Sequence, residues 1–483
     1  MAELANRSIS FLINKWSKQM KPTNEMLDSL QQLLRRAGAI VEEAEGRYIT
    51  NQAMLQQLSI LRKELYKGYY TLDTFRCRVH AGSMAQGYDV GHSFAISRFN
   101  PAKRLYISSG GRESVKDLTR ILKSLESALQ YAAEFIILSG RYPRLARQPY
   151  SIHLLLDNCM FGRQMEMELV INFLFQAQDP DDKNHGILPI IGPRKVGKST
   201  LVEHVSIDER VHSYFSQIMF LSGDDFKGEH IVYDNGDLIR RRVLAIVELD
   251  GDINEDLWKR FLSASRSLPP GSKFIVTSRS ENIINYGTTP PLRLEFFTPE
   301  VFWYFFKVRM FGSMDVMEHP KLSLLAMDMA KELNACFMGF NVMNEILKSN
   351  VDAHFWSLTL AICRHFKQKN PFVCDPTNPV DAWELNRPIL IPTKDRTSLG
   401  YISITDMYQT SSNQCVEHWL EASARSDTTT PKITLKDLMF GRAKPKGKFI
   451  ALAWKSHIPP QYNCVFKCEL RMPQKAASRK KRN

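Results

Sequence analysis

The chain has 483 residues, of which 44% are hydrophobic and 24% charged, as in an ordinary globular protein with room for about three domains. Its eight cysteines lack disulfide-framework or zinc-ligand spacing, which excludes a small disulfide scaffold and a zinc finger. No apolar run approaches the roughly 20 residues of a membrane span, and the N-terminus lacks the pattern of a signal peptide. The net charge of +13 permits contact with a polyanion, but five basic residues cluster in the last nine.

The first 140 residues have hydrophobic side chains at spacings of three and four, typical of amphipathic helices. Four such segments follow one another and predict a four-helix bundle over residues 1–140. The stretch between Val79 and Arg112 is rich in Gly and Ser, which predicts a long loop, and residues 141–157 predict a linker. The four helical segments are Ile9 to Trp16, Leu27 to Val41, Leu55 to Leu72 and Val115 to Ala132.

Residues 158–300 alternate between short apolar runs and helical segments, which predicts an α/β domain with a parallel sheet covered on both faces. Residues 301–368 predict a helical subdomain, residues 369–470 a β-rich or mixed region, and residues 471–483 a basic tail. The fold class is therefore multidomain α and α/β. The expected strands are Ile187 to Ile191, Ile218 to Leu221, Val243 to Leu249, Phe274 to Thr277, Ile389 to Pro392, Tyr401 to Ile404 and Phe449 to Trp454.

A glycine-rich loop follows the first expected strand and fits the P-loop pattern of two glycines around four residues, then Lys and Ser. In this context backbone N–H groups and the positive end of a helix face a phosphate chain. Lys198 would reach the β- and γ-phosphates, and the hydroxyl of Ser199 would bind Mg²⁺. The alternative is a basic loop between a strand and a helix. The predicted phosphate-binding residues are Gly192, Lys195, Val196, Gly197, Lys198, Ser199 and Thr200.

An acid on a neighbouring strand is needed on the metal side of such a site. The apolar strand from Val243 ends in acids, and Asp250 is the first choice because α/β sheets place their ligands at the carboxyl ends of strands. Glu248 and Asp252 are alternatives, since a slip of one residue turns a side chain to the other face. The remaining alternative is a surface-exposed strand end without a role in binding.

A further strand ends in Thr277, Ser278 and Arg279. The guanidinium of Arg279 would contact the γ-phosphate through two parallel hydrogen bonds and so distinguish ATP from ADP. Without the P-loop and the acidic strand, an arginine at this position would be interpreted as an ordinary surface residue. The three motifs together predict a nucleotide site with Mg²⁺.

In this order the motifs resemble the NB-ARC domain of plant intracellular immune receptors, within the STAND class of P-loop switches. Met160-Phe161-Gly162-Arg163 is similar to the segment that opens that domain near the adenine, which implies nucleotide contacts for Gly162 and Arg163. Residues 208–215, 292–313 and 334–341 resemble further segments of the domain.

The N-terminal helices are similar to the Rx-type coiled-coil domain, with the match carried by Leu27 to Phe75. Of that family's acidic EDVID patch, Asp73 resembles the last acid. The resemblance implies partners that are other immune receptors or coiled-coil proteins bound through the bundle, and self-association. It covers about residues 1 to 350.

The resemblance implies an ADP- or ATP-binding signalling switch or adaptor in plant innate immunity, in the cytoplasm and also in the nucleus. The chain departs from the family: Pro193 removes an N–H donor, and no Met-His-Asp triplet or leucine-rich repeat pattern is found. Binding is therefore expected to persist with at most slow ATP hydrolysis. One alternative is a nucleotide-independent dimerisation scaffold with a degenerate P-loop. A weaker one is a nuclear protein that binds nucleic acid through residues 475–483.

Overall fold

The structure is a computed structural model of the 483-residue chain and divides into two compact units. Unit 1 comprises Met1–Tyr150, Glu300–Lys307 and Met314–Leu324, and unit 2 comprises Ser151–Pro299, Val308–Ser313 and Leu325–Asn483. The residues described are 2–87, 101–144, 160–177, 185–223, 242–249, 251–252, 254–266, 268–314, 318–371, 373, 388–393, 400–411, 433–456, 458 and 462–471.

Unit 1 is built from the predicted N-terminal helices, which bury leucines on their facing sides. One continuous helix replaces the separate short helix expected around Ile9 to Trp16, because extending a helix costs less than nucleating a second one. The loop expected between Val79 and Arg112 is wrong at both ends, since residues up to Gly87 and from Pro101 onward are helical, and residues 88–100 lie outside the described residues. The helices are α1 (Ala2–Glu45), α2 (Gln52–Gly87), α3 (Pro101–Gln130) and α4 (Ala132–Ser139).

Residues 300–307 of unit 1 belong to a helix that continues into unit 2, α9 (Pro299–Phe311). Thr298 precedes it and Pro299 stands in its first turn, where a proline costs no hydrogen bond. Tyr304 stacks on Tyr66 of α2 with ring centroids 4.6 Å apart, so the first half of α9 packs on the bundle.

Unit 2 contains the expected parallel sheet, with five strands numbered along the chain and lying in the order second, third, fourth, first and fifth. All strand pairings described in this sheet are parallel, and β4 lies between β1 and β3. The strands are β1 (Gly186–Ile191), β2 (Gln217–Ser222), β3 (Val243–Glu248), β4 (Lys273–Ser278) and β5 (Leu292–Arg293). The associated helices are α5 (Gln164–Phe175), α6 (Lys198–Ser206), α7 (Glu209–Tyr214), α8 (Glu255–Ser265) and the 3-10 helix Glu281–Tyr286.

Helices cover both faces of this sheet, which explains why its strands are nearly continuous apolar runs. On one face, Leu244 and Ile246 of β3 pack in a core with residues of α5, α6 and α7. On the other face, Val243, Ala245 and Val247 pack in a second core with Trp258 and Phe261 of α8. The even-numbered positions of β3 therefore face α6, the helix that follows the P-loop.

The rest of unit 2 is helical and then β-rich, as predicted. The helices are α10 (Pro320–Leu333, divided between the two units), α11 (Phe337–Lys348), α12 (Ala353–Lys369) and the short α13 (Leu435–Met439). A second five-stranded sheet has the order β6-β7-β10-β9-β8, antiparallel except for the β8–β9 pair. Its strands are β6 (Ile389–Pro392), β7 (Tyr401–Ser411), β8 (Ile433–Thr434), β9 (Lys448–Lys455) and β10 (Tyr462–Arg471).

Asn370, directly after α12, connects this second sheet to the helices through side-chain hydrogen bonds. Its buried side-chain amide donates to the carbonyl of Leu390 at 2.8 Å and accepts from the N–H of Leu390 at 3.0 Å. Phe355 of α12 contacts Phe440 beside α13 with ring centroids 4.7 Å apart. Among the helices that the structure describes, none has the length and apolar character needed to cross a membrane.

Candidate functional site

The loop between β1 and α6 has the backbone that its glycines require. A Cβ on Gly192 would lie 2.5 Å from the carbonyl oxygen of Leu294, so a larger residue would collide with backbone. Gly197 has φ +100 and directly precedes α6, which has no side-chain cap. The first N–H groups of α6 therefore have no capping side chain, as the phosphate-binding end of a helix requires.

The side chain of Lys198 folds back onto the loop. Its Nζ donates to the carbonyl oxygens of Gly192 at 2.7 Å and Pro193 at 3.0 Å. Val196 is fully buried in the core beside α6 and anchors the middle of the loop. Ser199 and Lys195 are exposed and Thr200 is half-buried. The loop thus presents an ammonium, a hydroxyl and a helix N-terminus on one short segment, a set of groups that fits a phosphate chain.

Ser278 joins the end of β4 to this loop. Its carbonyl oxygen accepts from the N–H of Gly192 at 3.3 Å, and its hydroxyl donates to the carbonyl of Gly251 at 3.0 Å. Because β4 lies between β1 and β3, the carboxyl ends of all three strands meet at one edge of the sheet. Arg279 follows Ser278 at this edge and is exposed.

Of the three candidate metal-side acids, Asp250 lies outside the described residues. Asp252 is already engaged: its Oδ1 accepts from the hydroxyl of Ser280 and from Asn282 Nδ2, and both hydrogen bonds lower the pKa of Asp252. Glu248 ends β3 on the face that carries α6, and its Oε1 is buried without a hydrogen-bond partner among the described residues. Glu248 is therefore the described acid whose oxygen is left to accept a further donor.

Glu203 is a residue that the sequence analysis missed. It lies on α6, one turn after Ser199, and burial raises its pKa to about 7, with a further contribution from the negative charge of Glu248. The Glu203 charge also contributes, after burial and Cys464, to a raised pKa of Tyr462 at the start of β10. The spacing of four from Ser199 on one helix face was the signal available in the sequence.

The segment predicted to lie near the adenine is held by aromatic contacts. Arg163 is buried: its guanidinium donates to Glu166 Oε1 at 3.0 Å and to the carbonyl of Glu295, and it lies 4.8 Å from the ring centroid of Phe297. Gly162 has φ +66, and a Cβ there would lie 3.0 Å from the same ring. Arg163 thus orients this segment through Nη1 and Nη2, whereas its buried Nε has no hydrogen-bond partner among the described residues.

Met160 brings that segment to the loop. Its Cε lies 3.1 Å from the position that a Cβ on Gly197 would occupy. The structure therefore places Met160, the first residue of this segment, beside Gly197 at the start of α6.

Within the described part of the chain, no group of three or more His, Cys, Asp or Glu is arranged to hold a metal ion. Cys464 and Cys468 of β10 are buried, and burial raises the pKa of each thiol to about 12. Both are therefore protonated structural thiols at neutral pH.

No protein-family model matches the chain. Solved structures with some likeness include Drosophila ORC bound to DNA, at 13% identity and TM-score 0.30 over 48% of this chain and 72% of that one. Another is a mutant form of Thermotoga maritima RuvB, at 14% identity and TM-score 0.28 over 44% of this chain and 72% of that one. TM-scores of this size do not establish a common fold.

Curated relatives come from Solanum bulbocastanum. The disease resistance protein RGA2 is 21% identical over 343 residues, which cover 66% of this chain and 34% of RGA2. A second protein of that species, RGA1, is 20% identical over 342 residues, covering 66% of this chain and 33% of RGA1. The chain thus spans about a third of the length of these relatives. In sequence, the chain is similar to plant disease-resistance proteins of the NB-ARC type.

Proposed function

We propose that the chain is an ADP- or ATP-binding signalling switch or adaptor in plant defence. The observation that carries the proposal is the loop from Gly192 to Lys198, with its tight glycines, its inward-folded lysine and the uncapped helix that follows. The similarity to RGA2, whose name is that of a disease resistance protein, supports the biological setting.

In this proposal the phosphate chain lies on the loop, with Lys198 at the β- and γ-phosphates and Arg279 at the terminal phosphate. Ser199 and Asp250 hold Mg²⁺, with Glu248 as the alternative acid. The metal would neutralise charge on the phosphate oxygens. Gly162 and Arg163 shape the side of the site near the base, Gly162 by close backbone approach and Arg163 by orienting its neighbours.

The signal would pass through α9, because this helix contributes residues to both compact units. Nucleotide state would alter how the bundle, residues 1–140, pairs with other immune receptors, coiled-coil proteins or a second copy of the chain. A γ-phosphate shifts such an equilibrium only if it adds contacts in one arrangement alone. Hydrolysis, if present, is slow, since Pro193 removes a loop donor. We propose a cytoplasmic protein that also enters the nucleus through its basic tail, residues 475–483, which lie outside the described residues.

We further propose that residues 158–300 form the nucleotide-binding domain, residues 301–368 a helical ARC-like subdomain and residues 369–470 a mixed or β-rich region. The competing function is a nucleotide-independent dimerisation scaffold. It predicts the same helices in unit 1 but no nucleotide affinity.

Calorimetric titration of the full chain with ADP and with ATP separates the two functions. The switch predicts binding by the wild type and roughly a 10- to 100-fold loss in Lys198→Ala, since a hydrogen bond to a charged group is removed. The control is Lys331→Ala on α10, which removes an exposed lysine whose ion-pair partner, Asp328, is 3.9 Å away and should leave binding unchanged. Wild-type protein without affinity for either nucleotide would support the scaffold.

A further inference from the structure

Lys195 adopts a backbone conformation that side chains disfavour. Among the described residues, the non-glycine positions with positive φ are Lys195, Asn334 and Ala335, and φ of Lys195 is 63°. In this left-handed region the Cβ of an L-residue approaches the following carbonyl, a contact that glycine does not make. Position 195 is therefore one where glycine would be the more stable choice.

The path of the loop fixes this conformation. Gly192 is held against the backbone of Leu294, and Val196 is fully buried just before α6 begins. The chain between these two fixed points reverses direction at Lys195, whose side chain is exposed. Strained residues of this kind concentrate at ligand sites, where the surrounding structure holds them in place.

The ammonium of Lys195 adds to the positive charge of the neighbouring cationic side chains on the loop. Lys198 Nζ lies on the carbonyls of Gly192 and Pro193, and Arg194 directly precedes Lys195. On the metal side, Asp252 is engaged by Ser280 and Asn282. The described loop therefore carries three cationic side chains in five residues, while Glu248 remains the described acid with an oxygen left to accept a donor.

We propose that Lys195 is an affinity-determining residue, whose ammonium acts on the phosphate chain of ADP or ATP and adds to the effect of Lys198. This inference rests on the proposed function, since it requires a nucleotide on the loop. Because the side chain is exposed, its effect is electrostatic and weakens as salt increases.

Three substitutions at position 195 of the full chain separate charge from strain. Lys195→Arg keeps both, Lys195→Ala removes the charge and keeps the strain, and Lys195→Gly removes both. In EDTA we expect Lys195→Ala and Lys195→Gly each to lose about tenfold in affinity for ADP and ATP, and Lys195→Arg to stay within about twofold. In MgCl₂ the losses should be smaller, because the metal neutralises part of the same charge.

Thermal unfolding without nucleotide supplies the second readout. Lys195→Gly should raise Tm by about 2 °C relative to Lys195→Ala, because glycine relieves the positive φ. The two variants that lack the charge are thus expected to agree in affinity and to differ in stability. If Lys195 had only a structural role, Lys195→Ala and Lys195→Gly would differ in nucleotide affinity as they differ in Tm.

Equal affinity in EDTA for the wild type, Lys195→Ala and Lys195→Gly would overturn the inference. A greater loss in Lys195→Gly than in Lys195→Ala would also overturn it, since loop rigidity would then be the cause. Titration of Lys198→Ala in the same buffers distinguishes failure of the inference about Lys195 from failure of the proposed function. If Lys198→Ala loses binding and Lys195→Ala does not, the inference about Lys195 fails alone. If the wild type binds neither nucleotide, the proposed function fails with it.

Discussion

Asp73 and Lys307 form a largely buried ion pair: Asp73 Oδ2 accepts a hydrogen bond from Lys307 Nζ at 2.7 Å, and their side chains are 8% and 18% exposed. The same oxygen accepts from Trp303 Nε1 at 3.0 Å. Lys307 also lies 5.1 Å from the ring centroid of Tyr69. The one acid that resembles the EDVID patch therefore docks α2 onto α9.

Replacing Asp73 with Ala should destabilise unit 1 by about 3–5 kcal/mol, because it leaves the Lys307 ammonium buried without its counter-charge. Chemical denaturation of the full chain, followed by tryptophan fluorescence, measures the loss. The matched variant is Asp73→Leu combined with Lys307→Met, which removes both charges and should cost much less than Asp73→Ala alone. A loss below about 1 kcal/mol in Asp73→Ala would show that the pair does not stabilise this contact.

Ala335 has φ 59 between α10 and α11, a conformation that costs an alanine about 1 kcal/mol relative to glycine. Ala335→Gly should therefore raise the free energy of unfolding by up to that amount. Asn334, with φ 46, is the matched position. Asn334→Gly should raise the free energy of unfolding less than Ala335→Gly does, because asparagine tolerates positive φ better than alanine. Destabilisation by Ala335→Gly in urea denaturation would show that its Cβ contributes more to packing than the strain costs.

Glu203 should make stability depend on pH. Its pKa rises from 4.5 in the unfolded chain to about 7 in the folded one. Below pH 4.5 Glu203 is protonated in both the folded and the unfolded chain, and its contribution to the free energy of unfolding is at its maximum. Between pH 4.5 and 7 the unfolded chain releases its proton first, so stability falls until the folded state also ionises.

Glu203→Gln removes this proton equilibrium and is the variant that tests it. The wild-type free energy of unfolding minus that of Glu203→Gln should fall as pH rises from 4.5 to 7 and then level off. Glu255→Gln, at an exposed position on α8, is the control and should not show a fall in this range. A difference that is constant with pH would contradict the raised pKa of Glu203.

Cys464 and Cys468 should resist alkylation in the native protein, since burial raises the pKa of each thiol to about 12 and excludes reagent. Peptide mapping after iodoacetamide treatment should find both unmodified at neutral pH and both modified in denaturant. Cys336, half-buried beside α11, should react sooner. Labelling of Cys464 or Cys468 before unfolding would show that β10 opens.

The sequence predicted the strands of the parallel sheet because their signal is local. Ile187 to Ile191 is apolar on both faces, and the P-loop follows it at once. It did not predict β5 as a strand, since two residues carry no periodicity. The ends of α2 and α3 were also missed, because a glycine costs a helix only about 1 kcal/mol, and neither Gly82 in α2 nor the pair Gly110-Gly111 in α3 stopped the helix.

Contacts between distant residues could not be predicted from one sequence. Asp73 and Trp303 are 230 positions apart, and no local pattern links them. Arg163 was predicted from a motif that gives proximity to the base but not the direction of its guanidinium, which the structure directs to Glu166 and the carbonyl of Glu295. The positive φ of Lys195 likewise follows from the fixed points of the loop and not from lysine's own preference.

The most direct test of nucleotide binding is the adenine nucleotide that the purified 483-residue chain carries. Denaturing the wild type and Lys198→Ala and separating the released small molecules by ion-exchange chromatography would measure it. We expect ADP or ATP with the wild type and much less with Lys198→Ala. Wild-type protein that carries no adenine nucleotide, or equal amounts in both proteins, would contradict it.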